Sequence, residues 1–214
     1  MFVCMHHSLL ACLSAPPLFD MRSFAELYPI VKHKLEIHHG SHRFVHTLGV
    51  INVAEELAKI YDVDIEKAKI AALLHDATKH DDLDNQERNI IRYFGENILK
   101  SWPKQLYHGF SAVVYAEEEL GIDDPMILAA IKNHSVGRPA MSLLEKIIFV
   151  ADYLEPTRGL HTENIMEVAR HNIDKAVAII AKSSLKYVSD MGYEIVPLSW
   201  QTKVYYEKYL EDNE

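Results

Sequence analysis

The sequence predicts a single all-α domain of roughly seven to nine helices. Three observations lead there. From Ser23 onward apolar residues recur at three- and four-residue spacing, the period of one helix face. Alternating strand-like stretches are absent, and the short VSDMGYEIVPL run does not make a sheet. With 214 residues, 49% of them apolar, the chain can bury one substantial core.

Taken in order, residues 23–36, 42–60 and 65–75 each carry a helical apolar stripe. The polar patch KHDDLDNQE interrupts the pattern, which resumes near 86–94. After Trp102-Pro103 a helix fits 104–120, with Gly121 suited to its C-terminus. Pro125 fits the first turn of a short helix reaching about Asn133. SVGRPAM reads as a loop, SLLEKIIFVADYLEP as an apolar helix stopped by Pro156, and NIMEVARHNIDKAVAIIAKSSLKYV as one long amphipathic helix. Apolar residues on that last helix suit a homodimer interface as well as core, and periodicity does not separate the two.

The bulk composition narrows function. Basic side chains number 22 and acidic ones 31, a formal charge of −9. That is the wrong sign for gripping a long nucleic-acid backbone. A small anionic substrate would need a locally positive site built from metal ions or a few placed Lys and Arg. The only cysteines, Cys4 and Cys12, cannot staple the fold and point to a reducing, cytoplasmic compartment. Residues 1–20 contain SLLACLSA with no preceding Lys or Arg, a poor signal peptide and too short to span a bilayer. They read as an extension, disordered or upstream of a natural start at Met21. The expected organisation is this extension, a domain over 21–195 and a C-terminal tail over 196–214.

Most of the thirteen histidines read as surface imidazoles: His6, His7, His38, His39, His42, His80, His161 and His171 lie in polar or terminal contexts. The His42/His46 pair at i,i+4 lacks a local partner that would complete a metal set. A different group sits in apolar helical runs: His46, His75 with Asp76, His108, His134 and Asp152. A charge there is costly unless paired or metal-bound. Adjacent helix residues point about 100° apart. His75 and Asp76 can therefore face one ion only near a helix end, or the carboxylate can bridge two ions. Imidazole and carboxylate suit Fe, Mn, Zn or Co. A pair of such ions activates water and neutralises charge on phosphoryl oxygens, so metal-assisted phosphoester or phosphoanhydride hydrolysis is the favoured chemistry.

The pattern His46, His75-Asp76, Asp152 resembles the HD-domain phosphohydrolase superfamily. The blocks SHRFVHTLGV, AALLHDATK, LYHGFSAVVYAEEELGIDD, AIKNHSVGRPAMSLLEKIIFVADYLEPTR and NIDKAV resemble, more narrowly, the bacterial YqeK-type family over about residues 22–190. That resemblance implies an HD-domain helical bundle that cuts diadenosine tetraphosphate (Ap4A) symmetrically into two ADP at a di-iron centre. It implies one ion on His46, His75, Asp76 and Asp152, and a second on His108 and His134, with Asp76 shared. Asp76 and Lys79 would act in catalysis, and Arg43, Lys79, Arg138 and Arg158 would contact substrate phosphates. The implied partner is a small dinucleotide, with neither nucleic acid nor membrane. Two other functions compete: a different HD-type nucleotide phosphohydrolase, acting on dNTP, NMP or a signalling nucleotide, and a non-catalytic nucleotide-sensing helical protein. The chain departs from the family at Val136, where Thr is common, and at Thr78, expected to be a packing change. The loosely matching segment 81–102 is expected to border a nucleobase pocket.

Overall fold

The computed structural model describes residues 21–158 and 162–211, so the expectations for residues 1–20 and for His161 lie outside the described residues. The described chain is all-α, as expected, but a count of roughly seven to nine helices is too low. Among the described residues there are ten α-helices and a π-helical turn, eleven helices, besides three 3-10 turns. The α-helices are α1 (Phe24–Ile60), α2 (Ile65–Leu74), α3 (Leu83–Phe94), α4 (Asn97–Ser101), α5 (Tyr107–Val114), α6 (Pro125–Asn133), α7 (Leu143–Leu154), α8 (Glu163–His171), α9 (Ile173–Asp190) and α10 (Pro197–Tyr206).

The miscount has local causes. The two segments expected at 23–36 and 42–60 are one helix, α1, opened by a Ser23/Glu26 capping box. Gly40 does not break it, because an interior glycine costs only about 1 kcal/mol, less than packing on both sides supplies. The region expected as one helix over 104–120 is instead a 3-10 turn, α5 and the π-helical turn Tyr115–Glu119. The long helix expected after Pro156 is split at Asn172, whose backbone turns extended (φ −150°, ψ 95°). Its N–H closes α8 on the Val168 carbonyl at 2.8 Å. Its side chain accepts from the Lys175 N–H at 3.0 Å and opens α9. α4 and α10 complete the excess.

The core forms where α1, α2, α6, α7 and α9 meet. Ile70 to Leu74, the second half of α2, are all fully buried, as a helical run apolar on every side must be. Val50, Ala54 and Leu57 of α1 pack there, with Ile127 and Ile131 of α6, Ile147 and Ile148 of α7, and Val177 and Ile180 of α9. Each such Leu or Ile contributes roughly 1.5–3 kcal/mol by leaving water. On α9 the apolar residues divide: Ala176, Val177, Ile180, Ala181 and Leu185 are buried, whereas Tyr187 is exposed. A smaller cluster of Ile90, Tyr107 and Phe110 fixes α3 against α5. There Phe110 meets Trp102 and Phe94 edge-on, at 4.9 and 5.5 Å between ring centroids. No described helix is long and apolar enough to cross a membrane.

The loop after α6 is locked by α10. Gly137 has φ +66°, in the left-handed region, and a Cβ there would stand 2.8 Å from Thr202 Cγ2. Tyr206, fully buried, accepts the Met141 N–H on its hydroxyl at 2.9 Å. Tyr206→Phe strands that donor without a partner and is expected to destabilise the protein by about 1–3 kcal/mol, read from urea unfolding. Unchanged stability would show that Met141 finds another acceptor.

Candidate metal centre

Helix ends deliver the chemistry. His75 is the C-cap residue of α2 and His134 that of α6, so both rings leave the cylinder of their helix at its end. Asp76 and Lys79 follow His75 in successive tight turns, closed by Ala77 N–H to Leu74 O and Lys79 N–H to Asp76 O, both 3.1 Å. His46 lies in the middle of α1, His108 in the first turn of α5, and Asp152 near the end of α7. All four imidazoles and Asp76 are buried.

These six side chains converge. Asp76 Oδ2 stands 3.8 Å from His46 Nε2 and 3.6 Å from His75 Nε2. Its other oxygen, Oδ1, stands 3.3 Å from His108 Nε2 and 3.5 Å from His134 Nε2. Asp152 Oδ1 approaches His46 Nε2 at 3.2 Å and His75 Nε2 at 3.7 Å. Two overlapping donor groups are close enough to hold an ion, His46 with His75 and Asp152, or His75 with Asp76 and His134, and the single free Nε2 of His75 can serve one of them. The carboxylate of Asp76 thus lies between two imidazole pairs and turns one oxygen to each.

The donor set fits metal ions, and the hydrogen bonds say why. Nδ1 of His75 meets the Ala72 carbonyl at 2.7 Å, that of His108 the Gln105 carbonyl at 2.8 Å, and that of His134 the Ile131 carbonyl at 2.7 Å. A carbonyl only accepts, so each Nδ1 carries the proton and, in a neutral ring, each Nε2 presents a lone pair. Burial pushes His75 down to about 4 and His108 down to about 3, which keeps both rings neutral. Burial would raise Asp76, but the charges of its neighbours outweigh it, with Lys79 Nζ 2.9 Å from Oδ2, and hold Asp76 well below the usual carboxylate range. The Nε2 atoms of His108 and His134 face each other at 3.2 Å, and those of His46 and His75 at 3.4 Å. Bare lone pairs at such distances repel, and a cation between them converts the repulsion into coordination. No thiolate takes part among the described residues, so the site suits metals that accept nitrogen and oxygen.

Of the basic residues expected near phosphate, two are at the cluster. Arg43 Nη1 donates to Asp76 Oδ2 at 2.8 Å, and Lys79 Nζ lies 2.9 Å from the same oxygen. Arg138 is held elsewhere: its Nε and Nη2 donate to Glu145 at 2.6 Å each, and none of its hydrogen bonds reaches the six-residue cluster. Arg158 closes the 3-10 turn Pro156–Arg158. His42 is exposed on the surface of α1.

Several residues besides the expected ones shape the cluster, Glu155 and Gly109 among them without having been expected. Thr78, expected as a packing change, donates its buried hydroxyl to the His108 carbonyl at 3.0 Å. A Cβ on Gly109 would approach the Lys132 carbonyl at 3.1 Å, so its absence lets α5 and α6 draw His108 and His134 together. Ser135 Oγ is 2.9 Å from His134 Nε2 and 3.2 Å from His108 Nε2. Glu155, buried, takes the Nδ1 side of His46 at 2.9 Å. Its only sequence signal is an acidic residue one turn beyond Asp152 and just before Pro156. Beside Ser135 opens a cavity of about 340 Å³, walled by Leu106, Val136, Phe149, Leu185, Tyr193 and Ile195. Segment 81–102, expected to border such a pocket, contributes none of its lining.

The HD domain family matches residues 43–157, a span that contains all six clustered side chains. The chain belongs to the HD domain family. It is closely related to bacterial symmetrical bis(5'-nucleosyl)-tetraphosphatases. The protein of that description from Halalkalibacterium halodurans is 37% identical over 162 residues, 75% of this chain and 86% of the relative. The one from Bacillus subtilis is 33% identical over 162 residues, 75% of this chain and 87% of that relative. In three dimensions the chain is similar to the crystal structure of a "predicted HD superfamily hydrolase involved in NAD metabolism" from Clostridium acetobutylicum. The TM-score is 0.77 at 33% identity, over 85% of this chain and 97% of that one. This chain is therefore an HD-domain hydrolase.

Removing Asp76 takes a donor from both sides of the centre. Metal analysis of anaerobically purified Asp76→Ala is expected to show loss of most bound metal, with His75→Ala similar and His42→Ala unchanged. Equal metal content in all three would mean that the clustered donors are not the ligands.

Proposed function

We propose that the chain hydrolyses bis(5'-nucleosyl) tetraphosphates such as Ap4A symmetrically, one water per substrate, releasing two nucleoside diphosphates. The observation that carries this reading is the placement of Asp76 between two imidazole pairs, with Ser135, 2.9 Å from His134 Nε2, lining a cavity of nucleoside size. The descriptions of the similar proteins as symmetrical bis(5'-nucleosyl)-tetraphosphatases support the same substrate.

In this reading His46, His75, Asp76 and Asp152 would hold one ion, and His108 and His134 the other, with Asp76 shared. When bound, the pair would supply an activated water and neutralise charge on the phosphoryl oxygens. Iron is proposed from the family resemblance, since nitrogen and oxygen donors alone also admit Mn, Co or Zn. Arg43 and Lys79, partly exposed beside Asp76, would take phosphate oxygens, the bidentate Arg fixing orientation and Lys79 serving as a point charge. Arg138 would offer only the part of its fork that Glu145 leaves uncommitted, and Arg158 would contribute from the turn after Pro156. At about 340 Å³ the cavity is at the small end of ligand pockets, which run from about 300 to 1,000 Å³. It suits one nucleoside, with the polyphosphate passing Ser135 to reach the centre. The reading places the enzyme in the cytoplasm, where such nucleotides and a reducing environment coincide.

Product analysis decides the main point. Ap4A is expected to give ADP alone, activity to vanish on chelation, and Fe²⁺ added without oxygen to restore it best. AMP plus ATP as products, or ready turnover of dATP or AMP with Ap4A untouched, would overturn the substrate. Better restoration by Mn²⁺ or Zn²⁺ would overturn the metal alone.

A second measurement tests the cavity. Leu185→Trp fills it and is expected to raise KM for Ap4A by about tenfold or more while sparing kcat. An unchanged KM would place the nucleoside elsewhere.

A further inference from the structure

His46 differs from the other three imidazoles. Their Nδ1 protons rest on backbone carbonyls of their own helical turn, whereas His46 Nδ1 rests on a side chain, Glu155, 109 residues away. Glu155 is buried, and both of its oxygens are engaged. Oε1 accepts the Thr157 N–H at 2.7 Å. Oε2 accepts the Thr157 hydroxyl at 2.7 Å and faces His46 Nδ1 at 2.9 Å. The carboxylate reaches this place only because position 49, one turn past His46, has no side chain. A Cβ on Gly49 would lie 2.4 Å from Glu155 Oε1 and 2.6 Å from its Cγ.

From this geometry, and resting on the metal-centre reading above, we infer that Glu155 is a positioning residue and that Gly49 is its seat: Glu155 holds the proton of His46 on Nδ1, so that Nε2 turns a lone pair toward Asp152 and His75. An acceptor fixed on the outer nitrogen of a ligating histidine sets both its tautomer and its ring orientation. The other three rings have this from helical backbone and would keep it whatever happens to Glu155. Control by Glu155 is therefore confined to one side of the centre. It also ties that side to the Pro156–Arg158 turn, since Thr157 supplies two of the three hydrogen bonds that hold the carboxylate.

Glu155→Gln puts this to a chemical test, because an amide has one accepting and one donating end. With its oxygen at the Oε2 position, the NH₂ would oppose the Thr157 N–H, two donors face to face. With its oxygen at the Oε1 position, the NH₂ donates to the Thr157 hydroxyl and to His46 Nδ1. The second arrangement satisfies every group if the His46 proton moves to Nε2, the atom that faces the cluster. The substitution thus drives the wrong tautomer without altering the size of the side chain.

The experiment uses the full-length protein in two forms. In metal-free protein, long-range ¹H–¹⁵N correlation spectra of the imidazoles are expected to show His46 protonated on Nδ1 in wild type and on Nε2 in Glu155→Gln. The other three rings are expected not to change. On titration with Mn²⁺ by calorimetry, one of the two sites is expected to weaken by about 10- to 100-fold while the other holds. Gly49→Ala, which leaves Glu155 chemically intact but displaces it, is expected to weaken the same site. Retention of the Nδ1 proton in Glu155→Gln, or Mn²⁺ affinities within twofold of wild type at both sites in both variants, would overturn the inference. Failure of the wild type to bind Mn²⁺ at all would instead overturn the metal reading, and the tautomer of His46 would still decide what Glu155 does.

Discussion

The structure is organised around a concentration of acceptors that a protein core would ordinarily refuse. Four imidazoles and Asp76 are buried within a few ångströms of one another, and their lone pairs converge. Burying such groups without partners is costly, and left to themselves they would separate. Two arrangements prevent that. Outer hydrogen bonds fix each ring by its Nδ1, and Arg43 and Lys79 lend positive charge to Asp76 from the rim. The cluster is then a rigid set of donors aimed at cations.

Rigidity here comes from helix geometry. A residue in the middle of a helix shares its face with a neighbouring helix, but a residue at the C-cap leaves the cylinder and can point elsewhere. His75 and His134 use that freedom, and the accepting carbonyls of Ala72 and Ile131 belong to the same last turn. The fully buried apolar run of α2 pins His75 at the centre of the bundle, where α1, α6 and α7 also pass. Two missing side chains complete the fit. Gly109 admits α6 against α5, and Gly49 admits Glu155 against α1. In both cases a methyl group would push a donor out of register.

The C-terminal third of the chain gives the centre its surroundings. α9 and residues 193–199 wall the cavity beside Ser135, and α10 locks the loop that follows His134 through Gly137 and Tyr206. Asn133 and Arg138 share the buried carboxylate of Glu145, so the same loop is braced from α7. The cavity lining and the bracing of the turn that carries His134 therefore meet in one short stretch, residues 133–138.

The sequence alone was enough for the all-α class, the six clustered polar residues and the family resemblance, because each is written in local signals. Helical period is a local property, and a His or Asp inside an apolar run is conspicuous wherever it falls. Helix breaks were harder to read: Gly40 looks like a stop and is not one, while Asn172 looks like mid-helix and is a cap. Each outcome turns on packing energies that neighbours in sequence do not supply. Contacts between distant residues left no local trace at all. Nothing in HTLGV announces that Gly49 will seat a carboxylate 106 residues later, nor does HSVGR show that Arg138 will be held by Glu145. The types of group available for chemistry are fixed residue by residue, but which of them face one another, and through which atom, depends on how helices far apart in the chain come to lie side by side.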